Sequence, residues 1–343
     1  FYKTAPDNAN RCMALALRSG VRHFDIGTLY GSNSNLCIPL KKYLDVGIEA
    51  IDYSAEKPEL LEFLDSIKKA GDEHAVATLS GGLLSAASPA PLGSAGRRGR
   101  REGLFISHKL SNAEQSSKRE DVRRAVKRTI SELGCSYLDM VSIHSPLTDQ
   151  SRRRETYGAL IELRDSGFIK SVGVCNYGVG ALEEIKKNGF ELPSMNQIEL
   201  SPFNTHDDVV SWCNNNGIIV GCSAWSKLSG VDGPQDQWAI LADIAKRKQM
   251  TKAQVLVRWS LQKGYVCAPR SASASKIDRI AIGENTYGGV NNKSEGQYVL
   301  TPEEMQTLDG LNTNYKAGKL GRRDGWEDDD VLGSDWDPTN VVQ

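Results

Sequence analysis

Seven side chains with chemistry to offer fall at, or just beyond, the C-terminal end of a predicted strand: Asp25, Lys109, His144, Asn176, Gln197, Trp225 and Arg270. Taken singly, each has an ordinary explanation. An aspartate after a strand caps a helix or makes a turn, a lone histidine satisfies a structural need, and a lysine reaches for solvent. Seven strand ends behaving alike point to one site. In a parallel α/β barrel those ends share a face, and that face is where active sites are built.

The elements that must position them recur as one pattern: an amphipathic helix, a glycine, then a short β-branched strand. It reads ALALRSG-VRHFDIG, TISELG-CSYLDMVSIH, LIELRDSG-FIKSVGV, EIKKNG-FELPSMNQIEL, WCNNNG-IIVGCSAW and WSLQKG-YVCAPRS. The glycines at 20, 134, 167, 189, 217 and 264 suit a left-handed helix C-cap, where a Cβ would clash. Thr251 to Gln254 and Thr301 to Glu304 are capping-box patterns, the second with proline at the first helical position. Residues 120–133 keep apolar positions at 122, 126, 130 and 133, a core-facing stripe with a solvated basic outer face. Strands rich in Val, Ile and Leu, each preceded by a helix, imply a parallel sheet covered by helices. At this length the repeating unit predicts a (β/α)8 barrel, and no GxGxxG motif favours a doubly wound sheet instead.

The chain of 343 residues is 39% hydrophobic and 25% charged, and 42 Lys+Arg against 43 Asp+Glu give a net charge of -1. That balance suggests neither a nucleic-acid nor a membrane-surface protein, and no apolar run is long enough for a membrane helix. Seven cysteines (12, 37, 135, 175, 213, 222, 267) are scattered without CxxC or Cys/His spacing. They read as reduced thiols in the cytoplasm, with no metal site expected. Two regions break the rhythm. Residues 84–103 are Ala/Ser/Pro/Gly-rich and then basic, expected to be a flexible surface excursion, and from about Asn312 a long C-terminal loop is expected.

The segments FDIGTLYGSN, LFISHKL, YLDMVSIHSP, SVGVCNY, MNQIELSPF, CSAWSKL and APRS with KIDRIAIGEN, taken in order, resemble the aldo-keto reductase family. The resemblance implies a single barrel domain, a small carbonyl substrate, and NADPH bound without a Rossmann fold. It places the family's catalytic tetrad on Asp25, Tyr30, Lys109 and His144. Reducing a carbonyl by hydride leaves an alkoxide that needs a proton. A tyrosine with a pKa of about 10 is a poor donor until a nearby ammonium lowers it. Tyr30 is then the acid, Lys109 its tuner, Asp25 the counter-ion that keeps Lys109 charged, and His144 the group that positions substrate. His108, next to Lys109, should point to the opposite side of the strand and be structural.

The resemblance also assigns the cofactor contacts. Asn176 and Gln197 match residues that hydrogen-bond the nicotinamide carboxamide, with Cys175 where the family usually has serine. Trp225 matches an aromatic that stacks on the nicotinamide ring. Arg270, in Pro-Arg-Ser in place of Pro-Lys-Ser, matches the 2′-phosphate ligand. Lys276 and Arg279 compete for the next basic position. Ser226, Leu228, Ser271, Glu284 and Asn285 complete the implied set.

The family's first strand, with its glycine-rich end, is expected before residue 8 and is missing here, so one reading of a chain that opens at Phe1 is a fragment. Residues 46–102 form an insertion, within which KPELLEFLDSIKKAG-DEHAVATLS is itself a helix–glycine–strand unit. A strand between those carrying Asp25 and Lys109 would add about 4.8 Å to their separation and break the ion pair. The expected layout is therefore a barrel of seven family strands with the insertion packed outside. The leading function is carbonyl reduction. The alternative is a catalytically idle, nucleotide-binding barrel acting as a regulatory subunit, favoured by the missing strand and the insertion.

Overall fold

The structure, a computed structural model, describes residues 16–17, 21–28, 40–47, 96–223, 235–269 and 299–315. The described strands form one parallel sheet: β1 (His23–Gly27), β2 (Phe105–Leu110), β3 (Leu138–Ile143), β4 (Ile169–Cys175), β5 (Met195–Glu199), β6 (Ile219–Ser223) and β7 (Val266–Cys267). They hydrogen-bond in sequence order from β1 to β7, the order of a curled α/β barrel sheet with seven strands among the described residues. Between and around them lie α1 (Arg97–Glu102), α2 (Arg119–Glu132), α3 (Gln150–Asp165), α4 (Val179–Lys187), α5 (Asp207–Asn215), α6 (Gln235–Arg247), α7 (Lys252–Gln262) and α8 (Pro302–Asp309).

The pleat divides the strands into two chemistries. Phe24, Ile26, Ile106, Leu110, Val141, Ile143, Val172, Val174, Ile198 and Val220 are buried in the apolar core. Their alternates, Asp25, Ser107, Lys109, Ser142, Cys175 and Gln197, share the opposite face, the barrel lumen. The apolar stripe of α2 is buried as its spacing predicts, with Val122 and Val126 fully enclosed. Each such side chain contributes about 1.5–3 kcal/mol by leaving water. The outer face of α2 carries ion pairs, Arg123 with Glu120 and Glu162 and Arg128 with Glu114. Both capping boxes form, at the start of α7 and of α8. Gly134 follows α2 at φ +64° and Gly167 follows α3 at φ +78°, the left-handed region that their C-cap positions require. Gly20 lies outside the described residues.

Strands β1 and β2 pair directly, with Asp25 opposite Ser107 and Gly27 opposite Lys109. The two strands that carry the expected ion pair are therefore neighbours, although 84 positions separate its partners in sequence. Residues 48–95, which hold most of the insertion, lie outside the described residues, as does the C-terminal stretch beyond 315.

One expectation needs correction. The basic run at the end of the 84–103 segment is not a flexible excursion: it forms α1, and Arg101 on it is buried. The reason is a carboxylate inside the wall. Asp139 of β3 takes the Ile106 backbone N–H at 2.8 Å, and the Arg101 guanidinium meets the same oxygen at 2.9 Å. Arg101 also donates to Tyr137 O and Leu104 O, and lies 3.8 Å from the Tyr137 ring centroid. Arg100 donates to the carbonyls of Leu44 and Asp45, tying α1 to the helical residues 40–46. A buried guanidinium with a buried partner is a fixed strut, whatever the composition around it.

Removing that strut leaves the Asp139 carboxylate buried with, among the described residues, only the more exposed Lys170, 3.3 Å away, for charge compensation. Arg101→Ala should cost about 3 kcal/mol in urea unfolding, the scale for breaking a buried ion pair from one side. A loss under about 1 kcal/mol would show that α1 is not a strut.

Candidate active site

The site grows from the C-terminal ends of β1 to β5. On β1 and β2, Lys109 Nζ and Asp25 Oδ2 form a direct ion pair, with the lysine side chain 5% and the aspartate 15% exposed. The other carboxylate oxygen, Oδ1, accepts from Ser107 Oγ at 3.1 Å, and that hydroxyl lies 2.8 Å from His23 Nε2. Burial, the largest single influence, pushes the Asp25 carboxyl up. The Lys109 charge and hydrogen bond, with His23 and Ser107, outweigh it and hold the group below the ordinary carboxylate value. The Asp25 carboxyl is therefore ionised near neutrality.

His144 stands just past the end of β3, buried, with its N–H donating to Leu110 O at 3.0 Å. That bond continues the β2–β3 ladder by one step, and the pleat carries His144 to the side of Ser142 and Lys109. Its carbonyl accepts from Asn176 Nδ2 at 2.9 Å. Asn176 sits at φ +62°, a left-handed turn that asparagine tolerates better than most residues, and its N–H donates to Gln197 O at 2.9 Å. The ends of β3, β4 and β5 are thus joined through His144, Asn176 and Gln197. Cys175 and Gln197 face the lumen together, the thiol 3.7 Å from Gln197 Oε1. Burial pushes the Cys175 thiol up to about 12, so it stays protonated and is no nucleophile at neutral pH.

Below this layer the lumen is tightly packed at Gly173. A Cβ on Gly173 would stand 2.4 Å from Ser142 Oγ and 3.0 Å from the Met140 sulfur. The polar groups therefore sit on a packed floor and open toward the strand ends.

The structure brings together Asp25, Lys109, His144, Cys175, Asn176 and Gln197 at one mouth of the barrel. Tyr30, Trp225, Ser226, Leu228, Arg270, Ser271, Lys276, Arg279, Glu284 and Asn285 lie outside the described residues. His108 occupies the far side of β2, fully buried, with neither ring nitrogen hydrogen-bonded. Its burial lowers the imidazole to about 4, so it is a neutral structural residue as its position predicts.

Sequence reasoning missed two contributors. The first is the His23–Ser107 arm on Asp25; each of its members stands two positions before a singled-out residue, so strand alternation alone could have found it. The second is Glu114, in the 3-10 turn Asn112–Glu114. It accepts from Thr28 Oγ1 at 3.1 Å, Ser111 N at 3.0 Å, Ser111 Oγ at 2.8 Å and Arg128 at 3.1 Å. One carboxylate thereby staples the chain just after Asp25 to the chain just after Lys109. The Ser-x-x-Glu spacing at 111–114 is its sequence signal.

Known proteins resemble this chain in sequence and fold. The model of the Aldo/keto reductase family matches residues 37–311, a span that begins after Asp25 and Tyr30. The Bacillus subtilis oxidoreductase YtbE is 33% identical over 218 residues, covering 64% of this chain and 71% of its own. Glyoxal reductase of the same organism is 32% identical over 218 residues, covering 64% and 72%. Among solved structures, a Bombyx mori aldo-keto reductase in complex with NADP superposes with a TM-score of 0.64 at 20% identity, covering 92% of this chain and 86% of that one. This chain belongs to the aldo/keto reductase family.

The ion pair sets an acid limit on stability. A carboxyl depressed in the fold contributes stability that is complete above its unfolded value of about 3.9 and is lost as pH falls toward the folded value. Asp25→Asn, which removes the carboxylate charge beside the buried Lys109, should cost about 3–5 kcal/mol at neutral pH by chemical denaturation. The gap to the parent should hold steady down to about pH 5 and narrow below about pH 4 as the parent's own carboxyl protonates.

Proposed function

We propose that this chain is an NADPH-dependent oxidoreductase that reduces aldehydes or ketones to alcohols, with Tyr30 as the proton donor. The observation that carries this reading is the buried Asp25–Lys109 pair at the lumen mouth, beside His144. A charged lysine anchored by a carboxylate is what a nearby phenol needs to become an effective acid at neutral pH. Thr28, two residues before Tyr30 in sequence, is hydrogen-bonded to Glu114 on the chain that follows Lys109.

The described residues fit a nicotinamide carboxamide. Asn176 and Gln197 offer two carboxamides at adjacent strand ends, joined through the backbone, and carry both donors and acceptors. The Cys175 contact to Gln197 is long and weak, so the Gln197 amide gives little up by turning to a ligand. When bound, NADPH supplies the hydride. His144 holds the carbonyl oxygen in the mouth of the barrel. Tyr30 delivers its hydroxyl proton to that oxygen as negative charge develops. Lys109 favours the tyrosinate left behind, and Asp25 keeps Lys109 charged. In the same reading Trp225 stacks on the nicotinamide, and Arg270 with Lys276 or Arg279 holds the 2′-phosphate, a bidentate role suited to arginine. Ser226, Leu228, Ser271, Glu284 and Asn285 line the remainder of the cofactor. A single barrel domain and a cytoplasmic location belong to this proposal as well.

Tyr30→Phe should lower kcat for aldehyde reduction by about 10²–10⁴, the contribution of a positioned acid, and leave the NADPH Kd nearly unchanged. A variant that keeps most of the parent kcat overturns the acid assignment. A parent that binds NADPH but turns over no member of an aldehyde panel is the idle, regulatory barrel instead.

Arg270→Ala should weaken NADPH binding by about ten- to a hundredfold, the scale of a lost charge-assisted hydrogen bond, and barely alter NADH binding. Equal losses for both cofactors would show that Arg270 does not meet the 2′-phosphate.

A further inference from the structure

The Asp25 carboxylate is held on both oxygens, and only one hold is the lysine. Oδ2 meets Lys109; Oδ1 accepts from Ser107, whose oxygen lies 2.8 Å from His23 Nε2. His23 precedes Asp25 by two residues on β1, and Ser107 precedes Lys109 by two on β2. The pleat therefore sets all four side chains on the lumen face. The His23 ring is itself fixed edge-on against Phe105, centroids 4.8 Å apart at 75°.

The direction of this chain follows from proton counting. An ionised carboxylate only accepts, so Ser107 gives its single hydroxyl proton to Asp25. The Ser107 oxygen must then accept from His23, which fixes the ring as the Nε2–H tautomer. Burial, helped by the Lys109 charge and outweighing the pull of Asp25 and Asp139, holds the imidazole below 6.5, consistent with a neutral ring. The result is a polarised series, His23 N–H to Ser107 O–H to the Asp25 carboxylate, with Lys109 donating from the other side. A carboxylate held by one oxygen turns broadly about its terminal torsion; one held by both does not.

We propose that His23 and Ser107 are positioning residues: they lock the plane of the Asp25 carboxylate so that Lys109 stays fixed where it acts on Tyr30. This rests on the roles given above to Asp25, Lys109 and Tyr30. The titratable groups that bear on Asp25 and Lys109 include His23, His108 and Cys175, and those that bear on His23 include Asp25, Lys109 and Asp139.

The test is the pH profile of aldehyde reduction by the NADPH-loaded enzyme, read together with the tautomer of His23 by imidazole 15N NMR. Ser107→Ala should lower kcat about tenfold, the scale of one hydrogen bond to a charged group, while KM and NADPH affinity stay within about twofold. The alkaline limb of kcat should move upward, because a less fixed Lys109 leaves Tyr30 less acidic. Ser107→Thr, which restores the hydroxyl, should restore both kcat and the limb. His23→Phe keeps the packing on Phe105 but loses the N–H, and should shift the limb in the same direction. A loss of stability with an unmoved limb would mark a merely structural role and overturn the proposal. If Ser107→Ala matches the parent while Tyr30→Phe is inactive, the positioning role fails and the enzyme reading stands. If the parent reduces no carbonyl, or Ser107→Ala does not fold, the NMR decides: an Nε2–H ring supports the anchored chain, and an Nδ1–H ring overturns it.

Discussion

The site depends on an ammonium kept charged in a place where water cannot hold it. Lys109 is almost wholly buried in the barrel lumen, and an unpaired charge there would cost more than the fold could bear. Asp25 is the answer to that problem, and much of the surrounding structure answers the problem Asp25 then creates. The register of β1 on β2 brings the carboxylate to the lysine. Ser107, itself met by His23, occupies the oxygen that Lys109 does not. Glu114 joins the chain after each strand, so the two ends cannot drift apart. In the proposed reaction, positioning more than the mere presence of reactive groups is what such an arrangement would contribute.

The same logic recurs on the outer side of the wall with no chemistry attached. Asp139 and Arg101 are a buried pair too, but both are taken up by backbone partners: the carboxylate by Ile106 N–H, the guanidinium by Tyr137 O and Leu104 O. The pair joins α1 to β2 and β3. Asp25 and Lys109 instead sit at strand ends, where the lumen opens. Two ion pairs in one sheet thus divide between support and site by their depth along the strands, as barrel architecture leads one to expect.

Much of this was legible in the residues. Helix–glycine–strand repeats announced the parallel sheet, and the polar residues at strand ends announced the face on which Asp25, Lys109, His144, Asn176 and Gln197 lie together. The pairing of β1 with β2 followed from the tetrad that the family resemblance implies, because a strand between them would have parted Asp25 from Lys109. What was not legible has physical causes. The basic run at 97–102 looks like solvated low complexity, since composition cannot show that Arg101 has a carboxylate waiting inside the wall. Ser107 was passed over because a serine inside a strand signals nothing until its cross-strand partner is known to be Asp25. Cys175 shows the limits of a substituted position: the sequence places a thiol where a hydroxyl is usual, but only the geometry shows it turned against Gln197 and held protonated.

The pairing of β1 with β2 has a further consequence, in time and not in space. Lys109 and Ser142 meet across β2 and β3 within a short stretch of chain, whereas Asp25 and Ser107 are separated by 82 positions. In equilibrium terms the longer closure costs under about 1 kcal/mol more, because loop entropy grows only logarithmically with length. In kinetic terms the difference is larger, since contacts distant in sequence form late. The sheet from β2 onward can assemble from successive local units, with β1 arriving afterwards. Until it does, Lys109 faces a lumen without its counter-ion, and the nascent barrel must leave that lysine open to water. Docking of β1 on β2 and pairing of the buried Lys109 with Asp25 are then one event.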